Sequence, residues 1–100
     1  MQAVIGDTVI AEAPTEDLVK IEGNWYFPPA SVRTELFTES PTPYHCPWKG
    51  DTQYWNVTVD GEVLPDRAWS YPEPIPSSFD RVGSDYSGYF AFSGDVRVSE

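Results

Sequence analysis

A single cysteine, Cys46, leaves the chain unable to close an internal disulfide or to build a thiolate-rich zinc site alone. Nowhere does it hold a run of about 18 apolar residues, so no segment reads as a membrane-spanning helix. The opening residues, Met1-Gln2-Ala3-Val4-Ile5-Gly6-Asp7, have neither the basic start nor the apolar stretch of a secretory leader. Together these absences give the expectation of a cytoplasmic protein, in which the sequon Asn56-Val57-Thr58 is an accident of strand sequence. Bases are scarce too: six against sixteen acids, a formal net charge of -10. A nucleic acid or an anionic membrane repels such a surface, and neither is expected as a partner. There is no Gly-x-Gly-x-x-Gly and no His-Glu-x-x-His motif. Lys49-Gly50 lacks the earlier glycine of a phosphate-binding P-loop, and Asp51 follows where that loop needs Ser or Thr. No cofactor and no metal site is expected.

What the chain does hold is aromatic and turn-forming. Its four Trp, six Tyr and five Phe can supply the core that one hundred residues need. Ten prolines and seven glycines disfavour long helices and suit short strands joined by turns. The length fits a single domain over residues 1–100.

Val4 to Glu12 reads as two short strands around Gly6-Asp7. Leu18, Ile21 and Trp25-Tyr26-Phe27 continue the β pattern, with a turn at Gly23-Asn24 beside Glu22. Ser31 to Phe37 is the best helix candidate, with Val32 and Leu36 on its buried stripe. Thr38 to Gly50, with Pro41, Pro43 and Pro47, is expected to be a long irregular loop. Tyr54 to Val59 is the strongest strand, and Asp60-Gly61 turns it into Glu62-Val63-Leu64. Ala68 to Tyr71, Gly88 to Phe92 and Val96 to Val98 read as further strands, and Ser77 to Val82 as one helical turn.

Chemistry-bearing residues concentrate in Tyr44-His45-Cys46-Pro47-Trp48-Lys49-Gly50. His45 is a candidate general acid or base, and Cys46 a candidate nucleophile if a neighbouring cation stabilises its thiolate. Successive strand residues point to opposite faces, however, so adjacency alone does not pair them. The competing reading makes Cys46 a small buried hydrophobe. Lys49 beside Gly50 suits a phosphate or carboxylate, because glycine lets the backbone approach; a salt bridge to a nearby acid is the structural alternative. Trp25, Trp48, Trp69 and Tyr71 are candidates for an aromatic wall, and Trp55 for the core. Gly83-Ser84 with Asp95-Val96-Arg97 faintly echoes the nucleotidyltransferase pattern, but Arg97 stands where the second metal-binding acid belongs.

Four motifs in order resemble domain-of-unknown-function family 427: Trp25-Tyr26-Phe27-Pro28, the Tyr44–Gly50 loop with its Cys-Pro-x-Lys-Gly, Trp69-Ser70-Tyr71-Pro72, and Phe90-Ala91-Phe92. The resemblance runs from Val4 to Val98. It implies a mainly β fold of the Mss4-like or β-tent kind, with small antiparallel sheets meeting at an angle and one or two short helices. It also implies a mainly bacterial and fungal family without an established activity, sometimes labelled nucleotidyltransferase-like. Zinc modules, methionine sulfoxide reductases and the ligand-binding domain of cereblon share that general shape. This chain lacks the Cys-x-x-Cys knuckles of the zinc-binding ones.

The leading functional expectation is a small-molecule-binding domain. Its pocket is drawn from Trp25, Tyr44, His45, Trp48, Lys49, Gly50, Trp69 and Tyr71. The alternative is an enzyme using Cys46, with His45, as nucleophile or redox thiol. A third reading is a protein-interaction domain, so monomer and homodimer both stay open.

Overall fold

Two-residue turns divide the chain into antiparallel hairpins. The computed structural model describes residues 1–100, and it is mainly β, with several small antiparallel sheets and one α-helix. Strands β1 (Gln2–Ile5) and β2 (Thr8–Glu12) fold about Gly6-Asp7. Strands β3 (Val19–Ile21) and β4 (Asn24–Tyr26) fold about Glu22-Gly23, with φ of 53° and 85°. Positive φ at both turn residues matches the twist of the flanking strands, and glutamate is an unusual residue in the first place.

Strands β5 (Phe37–Cys46), β6 (Gly50–Val59), β7 (Glu62–Ser70) and β8 (Phe90–Phe92) form a four-stranded sheet in that order. Asp60-Gly61 joins β6 to β7, as the dipeptide predicts. The last strand, β9 (Arg97–Ser99), pairs with β1 to complete a three-stranded sheet in the order β2-β1-β9. Helix α1 (Ser77–Val82) stops at Gly83, whose φ of 93° permits the left-handed cap.

Two expectations fail. Residues 31–37 form no α-helix; short 3₁₀ turns occupy Pro29–Ser31 and Thr34–Leu36. Between them Val32 bridges to Ala11, and the Arg33 N–H donates to the Ile10 carbonyl at 2.9 Å. Those cross-strand bonds take the backbone groups that a helix would need. Residues 38–50 are not an irregular loop either. They are strand β5, a tight turn at Pro47-Trp48-Lys49, and the start of β6. The prolines are tolerated because β5 is an edge strand, and its pairing breaks register between Glu39 and Pro43.

The alternation of strand faces builds two cores. Phe90 and Phe92 face the larger, with Ile10, Ala11, Phe27, Val32, Phe37, Val57 and Ala68. Trp55 packs at its margin, with its ring centroid 5.4 Å from that of Phe90, and donates its indole N–H to Ser70 Oγ at 2.9 Å. Ala91, between the two phenylalanines, faces the smaller core instead, with Ile21, Tyr26, Cys46, Tyr71 and Tyr86. Phe27 and Phe90 exchange backbone hydrogen bonds of 2.8 and 2.9 Å, which bind the β3–β4 hairpin to the edge of the large sheet. This bond holds the hairpin over the smaller core, and there the candidate site lies.

Candidate functional site

The β5–β6 turn brings Trp48 and Lys49 to the smaller core. Cys46 and Gly50 are register partners at its base. Gly50 has φ of 114°, a conformation that side-chain-bearing residues rarely adopt. The Ile75 N–H donates to the Lys49 carbonyl at 2.9 Å, so the chain after β7 braces the turn from outside.

Lys49 is only 5% exposed. Its ammonium donates to Glu22 Oε1 and lies 5.0 Å from the Trp48 ring centre and 5.2 Å from that of Tyr71. Glu22 is its single hydrogen-bond acceptor, and the two rings present negative π faces to the same charge. Burial pulls the Lys49 ammonium down. The Glu22 hydrogen bond and the phenols of Tyr26 and Tyr71 outweigh it and hold the group above its ordinary value. The salt-bridge alternative for Lys49 is therefore present, and it sits in an aromatic setting.

Behind Lys49 the tyrosines form a linked set. Tyr26 stacks on Tyr71 at 6.4 Å between centroids, and Tyr86 meets both edge-on at 6.1 and 6.2 Å. The Trp69 indole donates to the Tyr26 hydroxyl at 3.0 Å, and the Tyr86 hydroxyl donates to Ser78 Oγ at 2.9 Å. Burial pushes the Tyr26 phenol up to about 12, against smaller opposing effects of Trp69 and Lys49. Tyr86 is raised for the same reason.

In front of Trp48 a cleft of about 210 Å³ opens, lined by Lys20, Ile21, Glu22, Trp48, Arg81 and Val82. The Arg81 guanidinium lies 4.3 Å from the Trp48 ring centre. Lys49 and Arg81, two of the chain's six bases, thus flank one indole ring on an acidic molecule.

The residues singled out by sequence divide among three places. Trp48, Lys49, Gly50, Trp69 and Tyr71 come together around the smaller core. Trp25 turns to the opposite face of its hairpin, packs on the larger core and carries Lys20 over its ring at 5.0 Å. Tyr44 and His45 point to opposite faces of β5 in its exposed stretch, where Tyr44 is 53% exposed and the His45 side chain 62%. His45 Nδ1 lies 2.8 Å from Asp51 Oδ1 there, and both line a shallow groove of about 480 Å³ with Pro43 and Thr52. That groove is larger than the Trp48 cleft. It lacks a buried polar group, and its exposed His–Asp pair contributes little.

His45 does not meet Cys46. The thiol lies on the other face of the strand, 6% exposed among apolar and aromatic neighbours. Three contributors escaped sequence reasoning: Tyr26, Tyr86 and Arg81. The signal for Tyr26 was present, since Trp25 and Tyr26 are neighbours on a strand and only one can share a face with Tyr71. Tyr86 and Arg81 carry no such local signal.

No three His, Cys, Asp or Glu side chains form a group that could hold a metal ion, and no helix is long and apolar enough to cross a membrane. The family model described as "Domain of unknown function (DUF427)" matches residues 1–99. A search of the curated proteins finds no match.

Proposed function

We propose, since this chain belongs to the DUF427 family of domains of unknown function, that it serves as a small-molecule-binding domain whose ligand sits in the cleft between Trp48 and the Glu22-Gly23 turn. The observation that carries this reading is Lys49: an ammonium buried against two aromatic faces, directly behind an open cleft. Small-molecule sites combine apolar and aromatic walls with a few well-placed polar groups. Trp48 and Ile21 supply the wall, Glu22 and Arg81 the polar groups that line it, and Lys49 stands behind Glu22. Trp69 and Tyr71 support it from behind, and Gly50 permits the turn.

The volume limits the ligand to something small. The net charge argues against nucleic acid or an anionic membrane as the partner. Among large hydrophobic side chains only Tyr44 and Val63 are strongly exposed, which favours a monomer over an apolar docking surface.

A thermal-shift screen of small molecules, repeated on Lys49→Ala and Cys46→Ser, tests the reading. A bound ligand raises the melting temperature of the wild type and of Cys46→Ser, and fails to raise that of Lys49→Ala. Equal shifts in all three would place the ligand elsewhere.

A further inference from the structure

The pairing of Lys49 with Glu22 is unequal. Lys49 is almost wholly buried, while the Glu22 side chain is 56% exposed. Glu22 also stands at φ of 53°, in a turn that ordinarily takes Asn, Asp or Gly there. A left-handed backbone at a residue of this kind is a mild strain that needs a compensating role. The carboxylate reaches the ammonium from the solvent side, along the rim of the cleft bounded by Trp48 and Arg81.

We propose that the Glu22 carboxylate is an internal stand-in for a ligand carboxylate, and that the cleft takes a small aromatic monocarboxylate whose anion replaces Glu22 on Lys49. This rests on reading the cleft as a ligand site and names the ligand class. The ring of such a ligand lies along Ile21 and Trp48, where Arg81 already stacks. Arg81 is exposed, so its guanidinium is free to turn and offer its planar fork to the same carboxylate. A carboxylate is favoured because the seat is already shaped to one. The size of the cleft fits a single ring with one anionic group.

The test titrates sodium benzoate into the wild type, Glu22→Gln, Lys49→Met and the Glu22→Gln/Lys49→Met double variant, read by tryptophan fluorescence and by melting temperature. Glu22→Gln keeps the length of the side chain and removes the competing charge. It is expected to bind benzoate at least about tenfold more tightly than the wild type, a gain of about 1.4 kcal/mol. Neither variant carrying Lys49→Met is expected to bind saturably. Equal affinity of Glu22→Gln and wild type overturns the proposal, as does undiminished binding to Lys49→Met.

Should Glu22→Gln fail to fold, refolding in benzoate is expected to rescue it while benzyl alcohol does not; no rescue overturns the proposal. Glu22→Gly, which suits the turn's backbone, provides a second charge-free variant for the same titration. Phenol and benzamidine separate this proposal from the one it rests on. If they bind in a Lys49-dependent way and benzoate does not, the cleft remains a ligand site and the carboxylate exchange falls. If none of the three binds, both readings fall.

Discussion

The indole N–H of Trp69 donates to the hydroxyl of Tyr26 across 3.0 Å, tying strand β7 of the large sheet to the β3–β4 hairpin. Tyr26 is 1% exposed, so Tyr26→Phe leaves the indole donor without its acceptor in a poorly hydrated place. The expected loss is about 1–3 kcal/mol of folding stability, measured by urea denaturation. A loss near zero would mean that water reaches the Trp69 nitrogen and replaces the phenol.

The same phenol gives the fold an alkaline limit. Its folded value is about 12 against an ordinary 10.0. Below 10.0 it is neutral in both folded and unfolded chains, and its contribution is complete. Between the two values the unfolded chain gives up its proton first, binds fewer protons than the folded one, and stability falls as pH rises. For Tyr26 alone the fall is about 2–3 kcal/mol across that window. Lys49 acts in the same direction, because its stabilisation is full below its unfolded value of 10.5 and is lost as pH rises through its raised folded value. Melting temperatures across this range are expected to drop more steeply in the wild type than in Tyr26→Phe. Parallel curves would remove Tyr26 from the account.

Much of the fold was legible because turn chemistry is local. Gly6-Asp7 and Asp60-Gly61 mark their hairpins at the right places, the turn read at Gly23-Asn24 falls one residue earlier at Glu22-Gly23, and Ser77 to Val82 is helical as read. The failures came where strand pairing overrode local preference. Pro41 and Pro43 read as loop, yet they sit on an edge strand that pairs with β6, where an unpaired outer side and a break in register tolerate the missing N–H groups. The Ser31–Phe37 segment has helix-compatible spacing, but its backbone is claimed by β2, some twenty residues away.

The candidate site shows the same division. Trp48, Lys49 and Gly50 stay together because a turn keeps neighbours together. Tyr44 and His45 are lost to it, because the strand carries them away from the turn into an exposed stretch of the edge. Glu22 was visible as an acid beside a turn, but its partner 27 positions onward was not.

Gly50 offers a test of the turn that carries Lys49. A methyl group there would lie 3.5 Å from Glu73 O, Ile75 N and Ile75 Cγ1, which is ordinary contact. Space therefore does not forbid alanine; the φ of 114° does. Gly50→Ala is expected to cost about 1–3 kcal/mol and to weaken any Lys49-dependent binding at the same time. Chemical denaturation checks the first effect and ligand titration the second. An unchanged stability would show that the turn relaxes without strain.

Cys46 gives a prediction about reactivity. Its thiol packs among Ile21, Tyr26, Tyr71, Tyr86 and Ala91, and no base or cation makes a hydrogen bond to it. A thiol reagent is expected to label it more than about a hundredfold more slowly in the folded protein than in denaturant, because labelling has to wait for opening. Rapid labelling in buffer would reopen a role for this thiol as nucleophile.

Both border strands of the four-stranded sheet are interrupted as templates for another chain. At β5, Pro41 and Pro43 have no N–H to offer, and the break in register bends the strand. At β8, the outward backbone groups of Phe90 are already spent on Phe27. Cross-β stacking, the usual hazard of a small aromatic-rich sheet in concentrated solution, thus meets a broken template at β5 and a capped one at Phe90.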